Sequence, residues 1–170
     1  MQELKDRIVK EGKVLPGNII KVDGFLNHRI DTELMDHIAE EFGKHFNMDE
    51  VTMILTAEAS GIALSAIVAH HFHKPMIFAK KAKSDNIEGG LYQSDIFSYT
   101  YKKKVTLLVS KEWLSADDKV LIIDDFMANG EAMRGLCDIV TAAGATLVGI
   151  GCAVEKGFQG GGDRLRAAGV

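Results

Sequence analysis

The sequence has few of the features that mark secreted or membrane proteins. It has only two cysteines among 170 residues, Cys137 in a segment with helical spacing and Cys152 in a strand-like run. We interpret both as small buried apolar side chains in a reducing compartment, not as a disulfide. No run approaches the roughly 20 apolar residues of a membrane span, and the charged residues 1–7 lack the apolar core of a signal peptide. We therefore expect a cytoplasmic protein with no membrane association.

An excess of positive charge is also missing. The chain has 20 Lys and Arg against 24 Asp and Glu, which gives a net charge of −4. This balance argues against a nucleic-acid-binding surface, so we expect no nucleic-acid partner. The hydrophobic share of 46% and the charged share of 26% are ordinary for a globular protein. The length fits one domain, residues 1–170, with a core of normal size.

The spacing of apolar residues predicts strands that alternate with helices four times. Such alternation indicates a parallel sheet covered by helices on both faces, an α/β protein. Residues 84–103 are polar with patchy alternation, and we interpret them as a long excursion or a β-hairpin with a mobile tip. The predicted helices cover residues 2–12, 31–46, 60–72 and 131–143, with a short piece after 162, and the predicted strands cover 19–22, 51–55, 76–79, 105–109, 120–123 and 146–154.

The most informative segment runs from Val120 to Ala132. Four apolar residues predict a buried parallel strand, and Asp124 and Asp125 stand where that strand should end. An Asn-Gly loop and a helix start follow, and their unpaired backbone N–H groups suit a phosphate. Ligands bind at the carboxyl ends of strands in open α/β sheets. Carboxylates for hydroxyl groups and amides for a phosphate together predict a site for a phosphorylated sugar.

This segment resembles the phosphoribosyl-pyrophosphate (PRPP) motif of type I phosphoribosyltransferases. The similarity runs from residue 1 to residue 170 and is nearest to the bacterial xanthine-specific members. It implies the type I phosphoribosyltransferase fold, a mostly parallel central sheet flanked by helices. A small hood would come from about residues 1–30 and the C-terminal part, with a flexible active-site loop at about 84–103. Relatives continue further, so we expect a C-terminal truncation.

The resemblance implies a purine salvage enzyme that converts xanthine and PRPP to xanthosine 5′-monophosphate and pyrophosphate. Asp124 and Asp125 would contact the ribose hydroxyls and stabilise positive charge on the sugar. Lys81 would reach the active site of a neighbouring subunit, which implies a homodimer. Backbone amides would hold the phosphates, with no phosphate contact from the Glu131 side chain. The positions implied to bind PRPP are Glu58, Ala59, Ser60, Gly61, Lys81, Ala128, Asn129, Gly130, Glu131 and Ala132.

The same resemblance implies Ile20, Asn27 and Lys156 as contacts of the base. The Lys156 ammonium can only donate hydrogen bonds, which suits the carbonyl-rich edge of an oxopurine. Phe158 would stack on the purine, and a buried core aromatic is the alternative interpretation. Two other functions stay open: a hypoxanthine/guanine or adenine phosphoribosyltransferase, and a PRPP-sensing purine regulator without catalysis.

No dedicated metal site is expected. Mg²⁺ would be bound mainly through PRPP oxygens and water. The His70-His71-Phe72-His73 segment does not place three rings on one face of a helix, and no neighbouring Cys or carboxylate completes a ligand set.

Overall fold

The computed structural model describes residues 1–82, 90–98 and 103–170. A π-helical turn, Asp23–Asn27, and a 3₁₀ turn, Gly157–Gln159, accompany the regular elements. The elements in chain order are α1 (Gln2–Glu11), β1 (Lys13–Leu15), β2 (Ile19–Lys21), α2 (Thr32–Gly43), β3 (Met53–Ala57), α3 (Ser60–His71), β4 (Met76–Ala79), β5 (Leu91–Ser98), β6 (Lys103–Ser110), β7 (Lys119–Met127), α4 (Glu131–Ala143), β8 (Thr146–Glu155) and α5 (Gly161–Ala167).

A four-stranded parallel sheet in the order β4-β3-β7-β8 forms the centre of the protein. Its two central strands are rich in Ile, Leu and Val and are buried on both faces, as parallel strands usually are. In β7, Val120 to Ile123 are fully buried. The predicted α/β architecture with a parallel sheet is confirmed.

Helices cover both faces of this sheet. On one face, α2 and α3 pack with the π-helical turn around a core that includes Phe25, Met35 and Ile54. On the other face, α4 packs with the β5–β6 hairpin around Leu107 and Leu136. The strand-to-helix connections therefore leave at one edge of the sheet, where the carboxyl ends of β3 and β7 meet.

The β5–β6 hairpin lies beside the sheet. It is antiparallel, with Leu91 opposite Ser110, and a bridge between Lys80 and Leu108 connects it to the end of β4. The predicted hairpin is confirmed for residues 91–98 and 103–110. The remainder of the predicted flexible loop, residues 84–89 and 99–102, lies outside the described residues.

Several element bounds differ from the predictions. The predicted helix from Asp31 ends at Gly43, not near Phe46; its start is confirmed, because the Asp31 carboxylate accepts a 3.2 Å hydrogen bond from the Leu34 N–H. The short strand β1, paired with β2, was not predicted. Cys137 lies on α4 and Cys152 on β8 as predicted, both unpaired, but they are half-buried, not fully buried. Within the described residues, every helix is too short or too polar to cross a bilayer.

Candidate active site

The acidic pair lies on β7 beyond the point where β3 stops pairing with it. The last paired positions of β3 and β7 are Leu55 and Ile122, whereas β7 stays paired with β8 as far as Met127 and Glu155. The prediction that the strand ends at the aspartates was therefore wrong. Asp124 and Asp125 are inside the strand, and they are only 7% and 2% exposed. Because β3 no longer pairs with β7 beside them, they lie at the sheet edge where the loops converge.

Asp125 accepts hydrogen bonds from two distant segments. Its Oδ1 accepts a 2.9 Å bond from the Ser60 hydroxyl at the start of α3, and its Oδ2 accepts a 3.1 Å bond from the Asn27 side-chain amide. Its own N–H donates to Asp124 Oδ1 over 2.9 Å. These bonds fix the Asp125 carboxylate in one orientation, as required of a buried charged group.

Asp124 lies in a low-dielectric position beside a second acid. Burial raises the pKa of Asp124 well above its ordinary range, and the neighbouring Asp125 carboxyl raises it further, while the Lys81 ammonium opposes the increase. Asp124 therefore holds its proton more tightly than an exposed aspartate would. A carboxyl whose pKa is strongly raised by burial and by a second acid is characteristic of functional sites.

The loop between β3 and α3 packs closely against the acidic pair. A Cβ added to Gly61 would overlap Asp124 Oδ1 and Thr56 Oγ1, so only glycine fits this position. The residue that precedes α3 is Ala59, and the hydroxyl of Ser60, the first residue of the helix, donates its hydrogen bond to Asp125. The Glu58–Ala59 peptide bond of this loop is cis.

A cleft of about 710 Å³ opens between this loop and the hairpin. Glu58, Ala59 and Lys81 line it on one side, and β5 and β6 line it on the other. The Glu58 carboxylate accepts a hydrogen bond from the Lys81 N–H, which connects the loop to the end of β4. Lys81 also lines a second pocket, at the start of α4, and so lies between the two. The structure thus brings the predicted pyrophosphate residues and Lys81 together.

Residues 128–132 form the wall of that second pocket, which has a volume of about 170 Å³. Gly130 has a φ of 76°, a left-handed conformation that glycine adopts at little cost, and α4 begins at the next residue. The backbone N–H groups at this helix start have no partners within the helix, which favours an anion. The Glu131 carboxylate instead accepts bonds from Arg134 (3.2 Å) and from the Phe97 N–H of β5 (3.5 Å).

The predicted base contacts come from two separate parts of the chain. Lys156 follows β8, and its ammonium lies 5.4 Å from the centre of the Phe126 ring. Phe158 is 62% exposed, so the alternative of a buried core aromatic was wrong. Ile20 is half-buried on β2. Asn27 contacts Asp125, a connection that the sequence did not predict.

Two further residues at the site were not identified from the sequence. The Thr56 hydroxyl is buried next to Gly61 and makes no hydrogen bond to any residue that the structure describes. Arg164 of α5 donates a hydrogen bond to the Asn129 carbonyl in the 128–132 loop. Thr56 stands two residues before the predicted PRPP-binding positions 58–61, whereas no sequence signal distinguishes Arg164 from other exposed arginines.

Metal-binding clusters are absent among the side chains that the structure describes. Across residues 1–82, 90–98 and 103–170, no three His, Cys, Asp or Glu side chains are placed to hold an ion. In the His70–His73 segment, His71 Nδ1 lies 2.7 Å from Asp36 Oδ1, in a pair remote from the acidic residues.

Comparison with known proteins gives consistent results at three levels. Residues 25–164 match the phosphoribosyl transferase domain family. The chain is 52% identical to a xanthine phosphoribosyltransferase of Bifidobacterium animalis subsp. lactis over 99% of its own length and 88% of that protein. It is 51% identical to the xanthine phosphoribosyltransferase of Staphylococcus epidermidis, with coverages of 100% and 88%.

Solved structures with this fold are more distant in sequence. The APRTase of Giardia lamblia complexed with 9-deazaadenine superposes with a TM-score of 0.81, at 22% identity, over 96% of this chain and 91% of that one. The adenine phosphoribosyltransferase of Saccharomyces cerevisiae gives a TM-score of 0.77 at 16% identity, with coverages of 96% and 95%. At these identities the similarity establishes the fold alone.

Proposed function

The chain belongs to the phosphoribosyltransferase family, and we propose that it transfers the phosphoribosyl group of PRPP to xanthine. The observation that carries this proposal is the convergence of Asp124 and Asp125, the β3–α3 loop and the 128–132 loop at one edge of the sheet. The choice of base is supported by relatives about half identical over almost the whole chain, which are named for xanthine.

In the proposed reaction, the bond from ribose C1 to the pyrophosphate oxygen breaks and a bond from C1 to xanthine N9 forms. The N9 proton is released, and the products are xanthosine 5′-monophosphate and pyrophosphate. Positive charge develops on the sugar as pyrophosphate leaves, and the fixed acidic pair stabilises that charge electrostatically. The Asn27 and Ser60 donors hold Asp125 in place before the substrate arrives.

The remaining groups would bind the ends of the substrate. The amides of residues 128–132 would hold the 5′-phosphate, and the 58–61 loop with Lys81 would hold the pyrophosphate. Lys156 would donate to a carbonyl of the base, and the exposed Phe158 ring is available to stack on it. Mg²⁺, if bound mainly through PRPP and water, would supply positive charge that offsets the negative charge of the leaving pyrophosphate.

The oligomeric state and the cellular location also belong to this proposal. A homodimer, in which Lys81 reaches the neighbouring site, stays a prediction, as do the hood and the flexible loop. A cytoplasmic location is supported by the unpaired cysteines on α4 and β8. Burial raises the pKa of the Cys152 thiol to about 12, which makes this cysteine unreactive.

A purine panel tests the proposal. Initial rates are measured with PRPP, Mg²⁺ and, in turn, xanthine, guanine, hypoxanthine and adenine, with pyrophosphate release recorded alongside nucleotide formation. We expect the highest kcat/KM for xanthine and one pyrophosphate per nucleotide. The Asp124→Asn/Asp125→Asn double variant should lose activity, whereas the exposed Asp49→Asn control should keep it. A preference for adenine would reject the xanthine assignment, and salt-dependent binding to duplex DNA without turnover would support the regulator.

A further inference from the structure

The peptide group between Asn129 and Gly130 is held from two sides by α5. Arg164 Nη2 donates a 2.5 Å hydrogen bond to the Asn129 carbonyl oxygen. Gly161 lies against the same peptide, since a Cβ added there would come within 2.7 Å of Gly130 N and 2.9 Å of the Asn129 carbonyl carbon. The added Cβ would come still closer to the Ala128 carbonyl oxygen, so Gly161 packs directly against the backbone of residues 128–130.

The orientation of this peptide follows from its planarity. In a trans peptide, the C=O and N–H vectors point in opposite directions within one plane. The carbonyl points to Arg164, so the Gly130 N–H points away from it. The 170 Å³ pocket is lined by residues 128–132 and includes no residue of α5. Arg164 therefore holds the outer end of the peptide and leaves the N–H free for the pocket.

The charge of Arg164 adds to this effect. A cation on the carbonyl polarises the whole peptide and strengthens its N–H as a donor. Within the described part of the chain, the Arg164 guanidinium donates hydrogen bonds only to the carbonyls of Asn129 and, at 3.5 Å, Gln159. Arg166 on the same helix instead pairs with Glu155 and Asp163. The two arginines thus differ in their contacts although they are two residues apart.

We propose that Arg164 and Gly161 are positioning residues that aim and polarise the Gly130 N–H toward a phosphate monoester in the 128–132 pocket. The inference rests on the proposed function only for the identity of that monoester, the 5′-phosphate of PRPP. Neither residue touches the ligand; both act through the peptide that does.

Kinetics of Arg164→Met test the proposal. We expect the KM for PRPP to rise about tenfold, as for loss of a charge-assisted hydrogen bond, with the KM for xanthine and the melting temperature little changed. Arg166→Met removes an equal charge from the same helix, and we expect its KM for PRPP to stay within about twofold of the parent. An unchanged KM for PRPP in Arg164→Met, or an equal rise in both variants, would overturn the proposal.

Two more variants and a second readout separate the outcomes. Arg164→Lys keeps the charge with a less well-directed donor, so its KM should fall between those of the parent and Arg164→Met. Gly161→Ala should raise the KM for PRPP above that of Arg164→Met, because the methyl group displaces the peptide between Asn129 and Gly130. Calorimetric titration with inorganic phosphate compares the same variants without turnover. If the parent does not convert PRPP and xanthine, the proposed function fails, whereas weaker phosphate binding by Arg164→Met alone would still support the positioning role.

Discussion

The side-chain amide of Asn27 donates a 3.1 Å hydrogen bond to Asp125 Oδ2, across a separation of 98 residues in the chain. The bond connects the end of the π-helical turn to the centre of β7. Asp125 is almost fully buried, so each donor on its carboxylate offsets part of the cost of removing it from water. The geometry of the acidic pair therefore depends on a segment that is also implied in base binding.

Replacement of Asn27 by alanine should affect both substrates. We expect Asn27→Ala to lower the unfolding free energy by about 1 kcal/mol and to reduce kcat/KM for PRPP as well as for xanthine about tenfold, because Asp125 loses one of its two side-chain donors. Steady-state kinetics with each substrate varied and urea unfolding measure the two effects. The exposed Asn47→Ala is the control. A change confined to the KM for xanthine would show that Asn27 acts only on the base.

The Asp124→Asn variant should be more stable and less active than the parent. Burial raises the pKa of Asp124, so ionisation at this position opposes folding. The stability that protonated Asp124 contributes to the folded state is fully present below the pKa of about 3.9 that the group has in the unfolded chain. It is lost as the pH rises through the higher pKa of the folded state. An asparagine side chain does not ionise and therefore avoids this loss. We expect the unfolding free energy of Asp124→Asn to exceed that of the parent by on the order of 1 kcal/mol at pH 7.

Thermal unfolding of parent and variant from pH 4 to pH 8 measures this difference. The advantage of Asp124→Asn should grow with pH, while its kcat with PRPP falls at least a hundredfold, about the effect of losing one electrostatic stabilising group. Asp49→Asn controls for a change of surface charge. A pH-independent difference in melting temperature would show that ionisation of Asp124 does not oppose folding.

An alanine at position 61 should disturb the site through packing. Its Cβ would overlap the Asp124 carboxylate and the Thr56 hydroxyl, so Gly61→Ala should cost about 1–3 kcal/mol of stability. Calorimetric melting is the measurement. Gly24→Ala is the matched control, because no atom lies within 4 Å of the added methyl group. Equal melting temperatures for both variants would contradict the close approach at Gly61.

A mixing experiment tests whether Lys81 serves a neighbouring site. Lys81→Met should raise the KM for PRPP about tenfold or more, through loss of a cation near the pyrophosphate. If Lys81 acts across a dimer, co-refolded Lys81→Met and Asp124→Asn/Asp125→Asn chains should show an activity at low PRPP concentration that neither variant has alone. Absence of recovery in a verified mixed dimer would assign Lys81 to the site of its own chain.

The main elements of the fold followed from local patterns in the chain. Apolar runs such as Val120–Ile123 indicated strands, and Asp31 marked a helix start that the structure confirms. The bounds of β7 did not follow, because the strand continues through Asp124 and Asp125 only where β8 supplies hydrogen bonds. Strand length depends on the neighbouring strand, which a local pattern does not contain.

The sequence by itself determined that the protein is an α/β protein and that two carboxylates and a glycine-containing helix start follow the apolar run 120–123, because strand periodicity and helix-start residues act over a few neighbours. Only the tertiary structure decided that Asn27 and Ser60 bind Asp125, that Glu131 faces the hairpin, and that Arg164 holds the Asn129 carbonyl. These contacts join segments between 34 and 98 residues apart. They exist because packing of the two cores brings those segments together, and no short-range preference specifies them.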